Sequence, residues 1–185
     1  MELVDALLAL SRLDALPRTG WILAGVPAPE RVAGHILGVG YLALALGPSV
    51  DPPLDMERVL AMALLHDAPE CRTGDLPKAA SLALPGGAKA TMEQRMGHDL
   101  LAGFPPSARA RLDEYALQDS PEARFVKGCD RLQLGLECLR LLRSGQRGLG
   151  DFVVGLPREE SQEFAPLALL WKEVHIQLRA IPGPH

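Results

Sequence analysis

The stretch Leu64-Leu65-His66-Asp67-Ala68-Pro69-Glu70-Cys71-Arg72-Thr73-Gly74-Asp75-Leu76-Pro77 sets an imidazole and three carboxylates within ten residues, directly after the apolar run Val59 to Leu65. Such a run is buried, and ionisable groups at its end are costly unless they pair or hold a metal. Neighbours on a helix point about 100° apart, so His66 and Asp67 face one ion only where the helix abuts a pocket. Glu70, three and four residues on, shares their face. The chemistry on offer is metal binding with a carboxylate alongside to handle a proton. A lone His-Asp dipeptide is common, however. The chain contains a second one, His98-Asp99, which its apolar neighbours place toward solvent. The metal reading therefore depends on ligands from elsewhere.

Two further segments offer them. Pro29-Glu30-Arg31-Val32-Ala33-Gly34-His35 opens a helix that runs to about Leu46, and His35 lies on or beside the stripe Val32, Ile36, Val39, Leu42. Ser120-Pro121-Glu122 starts a long helix to Arg143, capped by Ser120, whose stripe includes Ala123, Val126, Asp130, Leu134 and Leu141. Asp130 thus occupies a core position, where a carboxylate calls for a buried cation. His35, His66, Asp67 and Asp130 form a hard-to-borderline N/O set that suits Mn²⁺, Co²⁺, Fe²⁺, Zn²⁺ or Mg²⁺. Four protein ligands on an octahedral ion leave positions for water and a substrate oxygen, the arrangement of a hydrolytic metal site.

The remaining elements are read in the same way. Leu3 to Leu16 carries a helical stripe ended by Pro17, and Pro17 to Pro27 reads as a loop holding Arg18 and Trp21. Asp55 caps a helix from Met56 to Asp67. Residues 77–90 read as a loop with a short helix, equally compatible with a lid over the site and with ordinary slack. Helices follow over 91–102, 107–118 and 158–181, the last broken near Pro166. Hydrophobic residues make up 48% of the 185 and aromatics only 4%, a Leu/Ala/Val-rich balance that favours helices packed on helices. The expected architecture is all-α, a single domain over 1–185 with its motif core at about 17–145.

A net charge of −4 with intermixed signs argues against a long nucleic-acid groove. The odd count of three cysteines, without paired zinc spacing, suggests reduced thiols and a cytoplasmic protein. The start lacks a cationic signal-peptide pattern, and no apolar run is expected to reach the roughly 18 residues needed to span a bilayer.

At this point the sequence resembles the HD-domain phosphohydrolases, through the order His35, His66-Asp67, Asp130. It resembles more closely their single-domain 5′-deoxynucleotidase branch. The matching pieces are Pro17-Arg18-Thr19-Gly20-Trp21, Pro29 to His35, His66-Asp67-Ala68-Pro69-Glu70, Gly74-Asp75-Leu76-Pro77 and Ala123 to Asp130. The resemblance implies an all-α, commonly homodimeric hydrolase of deoxyribonucleoside 5′-monophosphates, with metal on His35, His66, Asp67 and Asp130. It further implies proton transfer by Glu70 beside Asp67, phosphate contact by Arg18, sugar packing by Trp21 and substrate contact by Asp75. Glu70, Asp75 and the Leu76 carbonyl are the alternative holders of a second ion. Gly34 departs from the acidic or polar residue usual before the histidine, and Pro85-Gly86-Gly87-Ala88-Lys89 replaces a more charged stretch, leaving Lys89 and Glu93 as anchors. These departures motivate an alternative, a metal- or nucleotide-binding regulator with little catalysis.

Overall fold

A computed structural model describes residues 2–156 and 163–181. In chain order the helices are α1 (Leu3–Leu10), α2 (Thr19–Leu23), α3 (Val32–Leu46), α4 (Met56–Leu65), α5 (Glu70–Thr73), α6 (Lys78–Ala83), α7 (Ala88–Leu100), α8 (Pro106–Leu117), α9 (Pro121–Arg143), α10 (Gly150–Gly155) and α11 (Ala165–Arg179). No strand occurs among the described residues, so the all-α expectation holds.

α9 is the axis. Its first turn carries Pro121 and is capped by the Ser120 hydroxyl, which accepts from Ala123 N–H. α3 and α4 pack on α9 from one side, with α8 and α11 alongside. One apolar cluster gathers Val39, Val59, Met62, Phe125, Val126, Leu132 and Trp171; a second gathers Ala6, Leu13, Val32, Ile36, Ala68, Leu100 and Leu112. His35 lies between Val32 of the second and Val39 of the first, and the turn after α4 links Ala63 of the first with Ala68 of the second. The polar residues of interest therefore stand where the two clusters meet.

Asp55 caps α4 as read, accepting from Glu57 N–H (3.0 Å) and Arg58 N–H (3.2 Å). α4 ends at Leu65 rather than Asp67, and residues 66–69 form a turn. His66 itself keeps helical backbone angles (φ −57°, ψ −39°) and donates its N–H to the Met62 carbonyl at 2.9 Å.

Several boundaries differ from the sequence reading. The N-terminal helix yields to a tight 3-10 turn at Ser11–Asp14, and the expected 17–27 loop contains α2. α7 begins at Ala88 rather than Thr91. α10 was not expected at all. Pro166 sits in the first turn of α11 and so starts that helix instead of breaking it; residues 157–162 lie outside the described residues.

The expectation of no span-length apolar stretch also needs correction. Val32–Ser49 is long and apolar enough to cross a membrane by length and composition. Here it is the core helix, burying Val32, His35, Ile36, Val39, Leu42 and Ala43, with an exposed stripe of Leu37, Tyr41 and Leu44 on its other side.

Replacing the cap, Asp55→Ala, is expected to cost about 1 kcal/mol. In a chain of this size that lowers the melting temperature by roughly 2–4 °C. A calorimetric scan checks it.

Candidate metal centre and active site

The turn after α4 brings the His66 and Asp67 side chains to one point. His66 Nδ1 donates to the Ala63 carbonyl at 2.8 Å, so its Nε2 is left bare. His35 Nδ1 donates to Gln133 Oε1 at 2.6 Å, and its Nε2 is bare as well. The two Nε2 atoms stand 3.3 Å apart. Asp130 Oδ1 lies 3.1 Å from His35 Nε2, while Asp67 Oδ2 lies 3.5 Å from His35 Nε2 and 3.4 Å from His66 Nε2. One donor atom each from His35, His66 and Asp130 falls within 4.8 Å of the others.

Both Nδ1 protons are spent outside this cluster, so neutral rings turn four acceptors toward one another. Without an ion, burial would lower the His66 pKa, yet Asp67 raises it, and a proton fills that place. Such a group needs a cation. Ligands about 2.1 Å from one ion sit ~3.0 Å apart at neighbouring octahedral positions and ~3.4 Å apart at tetrahedral ones. The 3.1–3.5 Å separations of His35 Nε2 from His66, Asp67 and Asp130, and of His66 Nε2 from Asp67, fit neighbouring positions around one ion, and the N/O donor set fits a divalent one.

A family model described as HD domain matches residues 10–148. The chain belongs to the HD-domain family. The 5′-deoxynucleotidase VP0926 of Vibrio parahaemolyticus is 30% identical to it over 145 residues, 74% of each chain. The 5′-deoxynucleotidase HDDC2 of Homo sapiens is 31% identical over 140 residues, covering 74% of this chain. The chain spans 66% of that human relative's length. The crystal structure of the PH0347 protein from Pyrococcus horikoshii superposes with a TM-score of 0.79 at 27% identity, over 95% of this chain and 99% of that one.

Around this histidine–aspartate cluster the neighbouring charges act strongly on one another. Burial would raise the Asp67 carboxyl's pKa, but the charge and hydrogen bond of His66 and the charge of His35 outweigh it and hold the carboxyl well below its usual range. Asp130 is likewise lowered against its burial, by Lys127 and the two imidazoles. Lys127 Nζ reaches Asp130 Oδ2 at 2.7 Å and the Tyr115 hydroxyl at 3.3 Å; that hydroxyl also donates to Asp130 Oδ2 at 3.2 Å. Arg18 donates to Asp67 Oδ2 at 3.1 Å, with its Nε 3.9 Å from Asp75 Oδ1.

Glu70 stands apart from these. Its carboxyl is pushed up to about 9 by burial and by the charges of Asp67 and Asp75, which outweigh Arg18 and Lys89. Its buried Oε2 makes no hydrogen bond within the protein. A pocket beside the metal set is lined by His66, Pro69, Glu93, Leu112, Tyr115 and Lys127.

Two expected substrate residues have structural duties here. Asp75 Oδ2 accepts from Thr19 N–H at the start of α2, and the Thr19 hydroxyl donates to the Asp75 carbonyl at 2.8 Å. Gly74, at φ +76°, makes the turn that delivers Asp75. Asp75 thereby ties the Arg18 segment to the turn after α5, and Leu76 follows it in the extended piece before α6. Trp21 is only 1% exposed and stacks on Phe152 of α10, ring centroids 4.4 Å apart. Contact with a sugar would require Phe152 to swing aside.

His98 pairs with Asp113 at 2.7 Å while Asp99 is exposed, so this dipeptide stays at the surface as read. In the lid region Lys89 and Glu93 pair at 3.3 Å on α7. Sequence reasoning missed Gln133, Glu30 and Tyr115. One signal was present for the first: Val126, Asp130, Gln133 and Glu137 repeat at helical spacing on the buried face of α9, so Gln133 is a polar residue where an apolar one would normally stand.

Metal retained through dialysis is expected for the wild-type protein and lost in His66→Ala and Asp130→Ala, measured by elemental analysis. A pH dependence follows from Glu70. A carboxyl raised in the folded state contributes stability below its ordinary pKa near 4.5, and that contribution is lost as pH climbs toward about 9. In metal-free protein, Glu70→Gln should therefore raise the melting temperature over wild type by more at pH 9 than at pH 5. An equal offset at both would contradict the assignment.

Proposed function

We propose that the chain is a metal-dependent phosphomonoester hydrolase that converts deoxyribonucleoside 5′-monophosphates to deoxyribonucleosides and phosphate. The observation that carries this reading is the meeting of two imidazole Nε2 atoms and two carboxylates, with Arg18 and Glu70 beside it. The names of the HDDC2 and VP0926 relatives support the substrate class.

His35, His66, Asp67 and Asp130 would hold the metal, whose contribution when bound is to polarise a phosphoryl oxygen and acidify water. Arg18 faces the site with a planar fork suited to phosphate oxygens, held at the right place by Asp67 and Asp75. Asp75 thus serves the substrate through Arg18. Glu70 carries the proton: its Oε2 is buried, free of partners in the protein and able to accept from an attacking water. Burial and carboxylate neighbours lift its basicity for that task, and a cation bound nearby would lower its pKa from that raised value. Lys89 and Lys127 add positive charge at the rim, which favours an anionic substrate. The pocket between α7, α8 and α9 gives the nucleoside portion somewhere to lie.

The crowding of Glu70 and Asp75 next to Asp67 supports a second ion on Glu70, Asp75 and the Leu76 carbonyl as an elaboration of the same site. A homodimer would cover the Leu37, Tyr41 and Leu44 stripe of α3, and free buried Cys71, Cys129 and Cys138 suit a reducing cytoplasm. The regulator alternative drew on Gly34 and on the altered 85–89 segment. His35 has a hydrogen-bond partner regardless, in Gln133, so Gly34 no longer favours it.

Phosphate release from a panel of dNMPs and matching NMPs, with Mn²⁺, Co²⁺ and Mg²⁺ in turn, tests the reading. Release confined to the deoxy series is expected. Glu70→Gln should lower kcat by about 10²–10⁴-fold. Absence of release under every metal would overturn the activity.

A further inference from the structure

His35 is held by a relay of two further side chains. Its Nδ1–H donates to Gln133 Oε1, and Gln133 Nε2 donates in turn to Glu30 Oε1. A glutamine amide can turn over with almost no change of shape, exchanging its acceptor for its donor. In the observed orientation it accepts from Nδ1–H, and His35 Nε2 is left bare toward the metal set. Turned over, it would donate to Nδ1; the ring proton would then sit on Nε2, aimed at His66 Nε2 only 3.3 Å away. An ionised carboxylate only accepts, so it holds the amide in the first orientation. We propose that Glu30, acting through Gln133, is the positioning residue that determines which nitrogen of His35 is free to bind the metal. This rests on the metal reading above.

Two local features of α3 fit a relay built for this purpose. A Cβ at Gly38 would stand 2.9 Å from Gln133 Cγ and 3.2 Å from its Nε2, so glycine makes the room through which Gln133 crosses from α9. At Gly34 a Cβ would meet only Glu30 Cγ, at an ordinary 3.7 Å. An acidic residue at 34 is thus absent without being sterically excluded. The carboxylate comes instead from four residues earlier, in the non-helical piece ahead of α3, and Gln133 spans the remaining distance. Glu30 serves the site twice, because its backbone carbonyl also accepts Arg18 N–H at 2.8 Å. Outer partners of this kind typically tune metal affinity by 10–100-fold.

The test is Co²⁺ titration of metal-free protein, together with ¹⁵N NMR of the histidine rings to read the tautomer of His35 without metal. Gln133→Leu and Glu30→Ala should each weaken Co²⁺ binding by about 10–100-fold and move ring proton density from Nδ1 to Nε2. The double variant Glu30→Gln with Gln133→Glu places an acceptor-only group directly on Nδ1–H and should restore both readouts. A side chain that merely filled space would not be rescued by this exchange. Wild-type affinity and tautomer in a folded Glu30→Ala protein would overturn the relay, as would a double variant no better than that single one. Should Gln133→Leu fail to fold, the Glu30 variants at the less buried end carry the test. Wild-type protein that binds no Co²⁺ overturns the metal reading instead, which the NMR measurement distinguishes from failure of the relay.

Discussion

Two imidazole nitrogens and two carboxylates converge in a largely buried site, and their mutual repulsion is the constraint around which this fold is arranged. Burial strips away the water that would otherwise screen them. The protein answers with charge from outside the cluster: Arg18 on Asp67, and Lys127 on Asp130. Lys127 takes Asp130 Oδ2 and leaves Oδ1 to face His35, whereas Arg18 shares with the two imidazoles the one oxygen, Asp67 Oδ2, that faces them. The same arrangement explains why three helices must be held in fixed register. α3 brings His35, the end of α4 brings His66 and Asp67, and α9 brings Asp130, so a shift of one helix by a fraction of a turn would separate the donors.

The supporting hydrogen bonds are as selective as the ligands. A histidine offers a metal one nitrogen only if the other keeps the proton, and here each ring secures that in a different way. His66 uses the Ala63 carbonyl from its own helix, a partner that comes with the backbone and cannot turn over. His35 uses a side-chain amide, which can. The second solution needs an additional residue to be reliable, and Glu30 stands where it supplies one. Buried polar chains of this type are costly when half satisfied. Their cost is offset here because every member from Glu30 to the imidazole has its partner.

Legibility in the sequence followed physical range. Local signals were readable: the Ser120 and Asp55 caps, the proline opening α9, and the alternation of stripe and gap that put Asp130 on the core face of α9. The ligand set could be assembled because each helix marks its own buried side. What escaped was whatever depends on two distant segments meeting. Gln133 looked like an ordinary polar residue until α3 lay against it, 98 residues away in sequence. Phe152 on α10 gave no periodic signal strong enough to announce a helix, yet it covers Trp21. Asp75 read as a substrate contact from its motif alone; its hydrogen bonds to Thr19 appear only when residues 56 apart are brought together.

Arg18 shows how these distant contacts converge on function. Its segment is pinned twice, by Asp75 at the start of α2 and by the Glu30 carbonyl ahead of α3. A flexible guanidinium beside a metal would pay side-chain entropy each time it met an anion. Held in place by Asp67 and Asp75, it has paid that cost on folding, and what it offers an incoming phosphate is a preset direction. The two acidic partners also keep it charged despite burial. Glu30 therefore joins the ligand His35 to the cation Arg18 through one residue, with its side chain serving one and its backbone the other. The geometry of the metal set and the place where an anion would meet it are not independent features of this fold.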